Sequence, residues 1–420
     1  MRLRASLACL LVSASVLAIA DRAARPDPLG LPPGHKFEVR PDDLPPPYAT
    51  PSAQNPSQPI PLPRFATLRA PDGFRVNIFA DGLIHARWLT VAPDGAVFLA
   101  ESRAGVVTIL RDTDSDGVAD LKAPFLTGFR LPHGLAVHGR HLYVADQLFV
   151  RRFPYEAGQN RPKISDGRID FETVTRPGAL GRPEGHWTRS LLFSPDGKRF
   201  FVTVGSTSNL AEDPEPHATV QVFNADGSDP RTVASGLRNP VGIAAHPETG
   251  EIYVTVNERD GMGDELVPDY LARLRPGEFY GWPYAYIGPN PQPDFAGRRP
   301  DMVEETRVPD VLFQSHSTPL GLVFYDGDLF PEAYRGDAFV ALRGSFNASE
   351  PRGYMVVRVP FEDGRPLGYY ESFVTGFWAE GERAPRVWGR PAGLAIAQDG
   401  SLLIADDTGN RVWRVSYLGR

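Results

Sequence analysis

One phrase returns six times along this chain, and it narrows the possible folds more than any other feature. Each copy runs from a polar lead-in through a short apolar strand and a tight turn to a second alternating strand. The clearest copies are RLPHGLAVHGRHLYVAD from Arg130, LRNPVGIAAHPETGEIYVTVNE from Leu237 and GRPAGLAIAQDGSLLIADD from Gly389. Looser copies begin at His85, His186 and Ser317. Period-2 alternation marks the strands, and in most copies an Asp-Gly or Thr-Gly pair closes the hairpin. Followers such as VVTIL from Val106 and RVWRV from Arg411 supply further strands, and no long helical periodicity interrupts the pattern.

Repeated hairpin units of this kind build a radial array of four-stranded blades. A β-sandwich would not need the same residue types to return at the same phase. The expectation is an all-β fold, a six-bladed β-propeller over residues 69–420. The strand GFRVNIFADG from Gly73 is expected to complete the last blade and remove a free edge.

The N-terminal part has a different composition. Arg2 and Arg4 precede an apolar run from Ala5 to Ala20 that ends in Ala18-Ile19-Ala20, the pattern of a cleaved export signal over residues 1–20. The run falls short of the ~20 residues of a membrane helix, so no membrane span is expected. The expected location is periplasmic or secreted. Residues 21–68 are Pro-rich and read as an extended linker or surface arm. The one cysteine, Cys9, lies in the signal, which leaves the exported chain without disulfides, thiolate metal sites or haem attachment. Electrons collected by such a chain leave through an external acceptor, a cytochrome or a quinone. A net charge of −7 offers no basic face for nucleic acid.

In a propeller, the innermost strand of every blade begins at one end of the central channel. Residues just ahead of the apolar strands therefore converge at one mouth. These are His85 and Arg87, Arg130 and His133, His186 and Arg189, Arg238 and Asn239, His316 and Ser317, and Arg390. Such a polar, cationic funnel suits an anionic ligand with several carboxylates.

Three stretches carry a family resemblance that covers the globular part. They are His186 with Phe193-Ser194-Pro195-Asp196-Gly197, then Leu237-Arg238-Asn239-Pro240-Val241-Gly242, then Gly263-Asp264-Glu265-Leu266 leading into Phe279-Tyr280-Gly281-Trp282-Pro283. In order, they resemble the soluble quinoprotein glucose dehydrogenases, and more closely the L-sorbosone dehydrogenase-like proteins. The resemblance implies oxidation of a sugar or sugar aldehyde with pyrroloquinoline quinone (PQQ) and calcium. It implies His186 as the base, with His133 the second candidate, and Arg238 at the quinone oxygen. Asn239, Arg343 and Arg390 would hold the cofactor, with His316 and His133 lining its site. Backbone oxygens of Arg259 and Asp260 would bind the active-site calcium.

The chain departs from the glucose enzymes at three places. Gly205-Ser206-Thr207 stands where they have an aspartate beside the base, Arg343 replaces a lysine, and Ala392 replaces a second arginine. These changes argue against glucose itself as substrate. Separately, Asp112, Asp114, Asp116 and Asp120 have the spacing of the front of a calcium loop, with Ala123 at the position of the usual glutamate. Two other functions fit a propeller: a metal-dependent lactonase, similar to regucalcin or the gluconolactonases, and a non-enzymatic sugar- or protein-binding module. The scarcity of carboxylates among the lead-in residues counts against the lactonase.

Overall fold

In the computed structural model, residues 31–64 and 66–419 are described; the expected export signal and Cys9 lie outside them. Among the described residues the chain is almost entirely β, with one short α-helix, Pro300–Glu305. Six antiparallel sheets of four or five strands follow one another along the chain. Their first, inner strands are Ala86–Val91, Gly134–His138, Leu191–Phe193, Pro240–Ala245, Pro319–Phe324 and Pro391–Ile396. Each inner strand packs on the next, and the last packs on the first, so the six form a closed ring.

That packing explains the repeated glycine. A Cβ on Gly134 would stand 2.4 Å from the carbonyl oxygen of Arg189, and one on Gly321 would stand 2.4 Å from that of Ala392. Gly242 and Gly393 face their neighbouring strands in the same way. Only a residue without a side chain allows inner strands to approach so closely. The equivalent positions in the first and third sheets are Trp88 and Ser190, and both turn to the same residue, His133.

The ring is completed by chain segments far apart in sequence. Phe74–Ala80 pairs antiparallel with Arg411–Tyr417 as the outermost strand of the sixth sheet. Lys36–Phe37 adds a fifth strand to the fifth sheet by pairing with Tyr370 and Glu371. Between these, the Pro-rich segment runs extended over the surface. It touches regular structure at Gln58–Pro59, which pairs parallel with Arg386–Val387. Aromatic and branched residues fill the spaces between sheets, as in the cluster of Trp388, Trp413, Phe377 and Phe339. No helix among the described residues is long and apolar enough to cross a membrane.

Candidate functional site

Most of the lead-in residues lie close to one another, but Arg130 turns instead to Gln147, donating to its Oε1 at 2.9 Å. Several adopt backbone conformations that side-chain-bearing residues rarely take: φ is 56° at His85, 52° at Leu131 and 67° at His316. Left-handed geometry of this kind is held by surrounding structure and concentrates at functional sites.

His186 is the best-defined member. Its Nδ1 lies 2.9 Å from the Ser206 carbonyl oxygen and 3.0 Å from Ser206 Oγ. Ser206 Oγ donates its own proton to the Ser208 carbonyl at 2.6 Å, so both Ser206 oxygens face His186 as acceptors. Nδ1 therefore carries the proton, and Nε2 keeps a bare lone pair. No described group occupies that nitrogen. Burial, then the Arg238 charge, pushes the His186 pKa down to about 3, so the ring is neutral at pH 7. Ser206 thus orients the His186 ring through its carbonyl and hydroxyl oxygens. Arg189 braces the same turn, donating to the carbonyls of His186 at 2.9 Å and Thr188 at 2.8 Å.

His133 stands differently. It is fully buried, its Nδ1 3.3 Å from Ser190 Oγ and its Nε2 without a partner. Its ring lies 4.4 Å from that of Trp88 and 5.4 Å from that of Trp187. Burial, then Arg87, holds its pKa well below the usual histidine range.

A cationic cluster faces these histidines. Arg87 and Arg343 both donate to one oxygen, Oδ2, of the fully buried Asp407, and His85 Nε2 lies 3.7 Å from the same atom. Burial alone would raise the Asp407 pKa, but Arg343 and then Arg87 outweigh it and hold the carboxyl far below its usual range. Arg390 has no acidic partner among the described residues: it donates to the carbonyls of Arg343, at 3.0 Å, and Gly344. Burial brings Arg87 and Arg390 down to about 10, which leaves both charged. Three arginines around one carboxylate leave an excess of positive charge, the donor set that binds carboxylates.

On the opposite wall, Asn209 binds Arg238 and Asp260 together. Its Oδ1 accepts from Arg238 at 2.9 Å and from the Asp260 N–H at 2.9 Å. Arg238 also reaches the Glu258 carbonyl at 2.8 Å and lies 3.8 Å from the Asp260 carboxylate. His316 completes this wall, with Nδ1 3.1 Å from Asp260 Oδ1 and Nε2 3.2 Å from the Gly263 carbonyl. Both partners are acceptors, so His316 makes both bonds only as an imidazolium. Its pKa is raised accordingly: burial lowers it, but the Asp260 hydrogen bond and the Asp269 charge prevail.

The Arg259 side chain points away from the mouth. It is fully buried and pairs with Glu258 Oε2 at 2.9 Å, Gln292 Oε1 at 3.0 Å and the Ala285 carbonyl at 2.8 Å. This turn leaves its own carbonyl oxygen without a described donor. The Asp260 carbonyl accepts from Asn209 Nδ2 at 2.9 Å and retains one lone pair. Nearby, Asn239 Oδ1, Asn257 Oδ1 and Glu258 Oε1 are buried without partners. An all-oxygen set of this kind matches what a hard divalent cation takes.

At the acidic loop, oxygens of Asp112, Asp114 and Asp116 lie within 4.8 Å of one another, and Asp112 Oδ1 is buried without a partner. Asp120 stands apart from that group: its Oδ2 accepts from Thr113 N at 2.7 Å and Thr113 Oγ1 at 2.8 Å.

Four residues at the mouth carried no assigned role in the sequence: Asp407, Asn209, Ser206 as an acceptor, and Trp187. Asp407 and Ser206 follow the second strand of a hairpin, which in an antiparallel pair returns to the end where the first strand began. That is the signal that would have found them.

The pattern of the TrAA12-like family matches residues 68–278 and 300–417. The chain belongs to the TrAA12-like family. A PQQ-dependent pyranose dehydrogenase of Coprinopsis cinerea is 23% identical over 435 residues, covering 85% of this chain and 56% of that protein. An uncharacterized protein of Borreliella burgdorferi is 27% identical over 362 residues, covering 84% of this chain and 91% of its own length. Among solved structures, the holo PQQ domain of the Coprinopsis cinerea pyranose dehydrogenase superimposes with a TM-score of 0.69 at 22% identity, over 85% of this chain and 98% of that one. The calcium structure of the Trichoderma reesei family AA12 enzyme gives 0.70 at 20% identity, over 85% and 99%. These likenesses establish a shared fold. The Pro-rich arm up to residue 67 and residues 279–299 lie outside the family pattern, and both pack on the loop that follows Glu258.

Proposed function

We propose that this chain is an exported, six-bladed β-propeller oxidoreductase that oxidises a sugar or sugar aldehyde with PQQ and calcium. The observation that carries this is the pairing at one mouth of a neutral His186, with Nε2 free, and an excess of arginine. When bound, the quinone supplies a two-electron hydride acceptor, chemistry that no side chain provides.

The residues fit such a group. Arg343 and Arg390 would hold its carboxylates, with His133 and His316 at the edges of its site and Arg87 beside them through Asp407. Arg238 is fixed by Asn209 and Glu258 where negative charge would be stabilised. Asn239 brings an unpartnered buried oxygen. The carbonyls of Arg259 and Asp260 would face calcium. His186 takes the proton of the substrate hydroxyl on Nε2, while Nδ1–H stays on Ser206. A second calcium, structural rather than catalytic, would sit at Asp112, Asp114 and Asp116, with Asp120 shaping the loop. The same reading makes residues 1–20 a cleaved signal, residues 21–68 an arm and residues 69–420 the propeller, with electrons passed to an external cytochrome or quinone.

The deciding experiment mixes purified protein with calcium and PQQ, records the absorption spectrum, and then adds a panel of sugars with a dye acceptor. A bound cofactor that bleaches with sugar and a dye that is reduced support the proposal. A chain that takes up no quinone leaves a binding or hydrolytic propeller in its place.

A further inference from the structure

The Pro-rich arm is more than a spacer at one point. Among the described residues between Phe37 and Leu68, Asn55 alone is buried, at 8% exposure. Every polar atom of this residue that can bond inside the protein does so, apart from its own carbonyl. Its N–H donates to the Phe346 carbonyl at 2.8 Å. Its Nδ2 donates to the Ser349 carbonyl at 3.1 Å and to the Glu382 carbonyl at 2.8 Å. Its Oδ1 accepts from the Ala384 N–H at 2.6 Å. A buried amide satisfied on both ends is rigid, and a half-satisfied one is unfavourable, so this clamp has one low-energy geometry.

The two clamped loops are those that carry Arg343, which shares Asp407 with Arg87, and Arg390, whose guanidinium hydrogen-bonds only main-chain carbonyls among the described residues. Phe346 and Ser349 follow Arg343 in the fifth sheet, and Glu382 and Ala384 precede Arg390 in the sixth. Within the same loop, the Ser349 N–H donates to Asp264 Oδ1 at 2.7 Å. The arm continues to the third loop, where Thr50 Oγ1 accepts from the Asp264 N–H at 2.8 Å and Ser52 Oγ accepts from that of Gly263 at 3.2 Å. The arm lies outside the family pattern.

We propose that Asn55 is a positioning residue that sets the separation of Arg343 and Arg390 and thereby the site for an anionic, multi-carboxylate cofactor. The cofactor half of this proposal rests on the quinone reading above; the clamp itself does not. Arg390 ties the loops at one point, through the Arg343 and Gly344 carbonyls; among the described contacts Asn55 is the one residue outside both loops whose side chain bonds the backbone of each. The polar groups that Asn55 satisfies are main-chain atoms, so only an amide with both donors and an acceptor replaces it.

The test uses the full chain with Asn55→Ala and Asn55→Asp, the second keeping Oδ1 and losing both Nδ2 donors. The control is Ser372→Ala, which loosens the arm elsewhere by removing bonds to His35 N and the Pro32 carbonyl. Hydrogen exchange is read at residues 345–350 and 382–386, and PQQ affinity is read by titration with calcium present. Both Asn55 variants should speed exchange in the two loops and weaken PQQ by about tenfold, the loss expected when a binding group shifts by a fraction of an ångström. Ser372→Ala, even with an equal fall in Tm, should change neither. Unchanged exchange in the Asn55 variants overturns the clamp, and faster exchange with unchanged affinity overturns its role in positioning the arginines. A wild-type chain that binds no PQQ overturns the cofactor half, and exchange then decides the clamp by itself.

Discussion

Arg343 Nε donates to Asp407 Oδ2 at 2.7 Å, and Arg87 reaches the same oxygen from the first sheet. One buried carboxylate thus joins the two sides of the seam where the ring closes. Asp407→Asn keeps the shape and removes the charge, leaving two arginines without their anion. The expected outcome is a loss of about 3–5 kcal/mol in stability, read by denaturant unfolding. A change below about 0.5 kcal/mol, the range of an ordinary surface substitution, would show that the carbonyls and solvent already satisfy both arginines.

His186→Ala should leave the fold and PQQ affinity nearly unchanged, since the residue is half-buried and removes little packing. Turnover should fall by roughly 10²–10⁴, or about 3–5 kcal/mol of barrier. His133→Ala should affect stability more than chemistry, because the ring is packed against Trp88 and Trp187. Single-turnover quinone reduction measured in both variants separates them. A His133 variant that is dead beside an active His186 variant would move the base to His133.

The pH profile follows from the same geometry. A base whose pKa is pushed down to about 3 is already neutral at pH 5, so turnover should show no acid limb from His186 between pH 5 and 8. Ser206→Asp would place a carboxylate at Nδ1 and raise that pKa, bringing an acid limb into the measurable range. A limb near pH 6.5 in the unaltered protein would contradict the assigned protonation.

Stability should respond to pH through His133. Its folded pKa is well below the unfolded value near 6.5, so below that pH the unfolded chain binds a proton that the folded chain refuses. Stability from this group is therefore lost as pH falls below about 6.5. Asp269, raised to about 7 by burial, acts in the opposite sense, so the contribution of His133 is isolated by difference. His133→Asn should reduce the acid-side slope of Tm relative to the unaltered chain. Identical slopes would mean that His133 titrates alike in the folded and unfolded chain, against its assigned neutral state.

Chelation should lower Tm, since a ligand held at 100 times its Kd contributes about 2.7 kcal/mol. Asp114→Ala should remove part of that shift and preserve dye reduction, as the acidic loop is remote from His186 in role. A Tm indifferent to both chelator and excess calcium would leave neither metal assignment standing.

The ring of six hairpins was legible because a steric demand writes itself into the sequence. In four of the six sheets the inner strands approach so closely that only glycine fits, and Gly134, Gly242, Gly321 and Gly393 mark that contact. His186 and Arg238 were legible because they precede such strands. Asp407 and Ser206 were not legible from strand beginnings, because they follow returning strands that end at the same mouth. Asn55 could not be read at all. Its partners are main-chain atoms far along the chain, and a backbone carbonyl imposes no residue type on the sequence. The tight grouping of Asp112, Asp114 and Asp116 was visible in their spacing, but the turning of Asp120 toward Thr113 was not, since a hydroxyl neighbour competes locally for the same oxygen.

The pairing of Phe74–Ala80 with Arg411–Tyr417 also fixes an order of assembly. Four sheets gather strands that follow one another, and the fifth takes Lys36–Phe37 only as an added edge, but the sixth needs an early segment, Phe74–Ala80, and the strand that is made last. Until synthesis ends, Phe74–Ala80 is an unsatisfied edge, open to pairing with another chain. Its loop-closing contact has the greatest sequence separation in the ring and should be the slow step of folding. Loss of the last ten residues would therefore leave a nascent chain that collapses without closing, and its fate would be aggregation or proteolysis rather than a weakened enzyme.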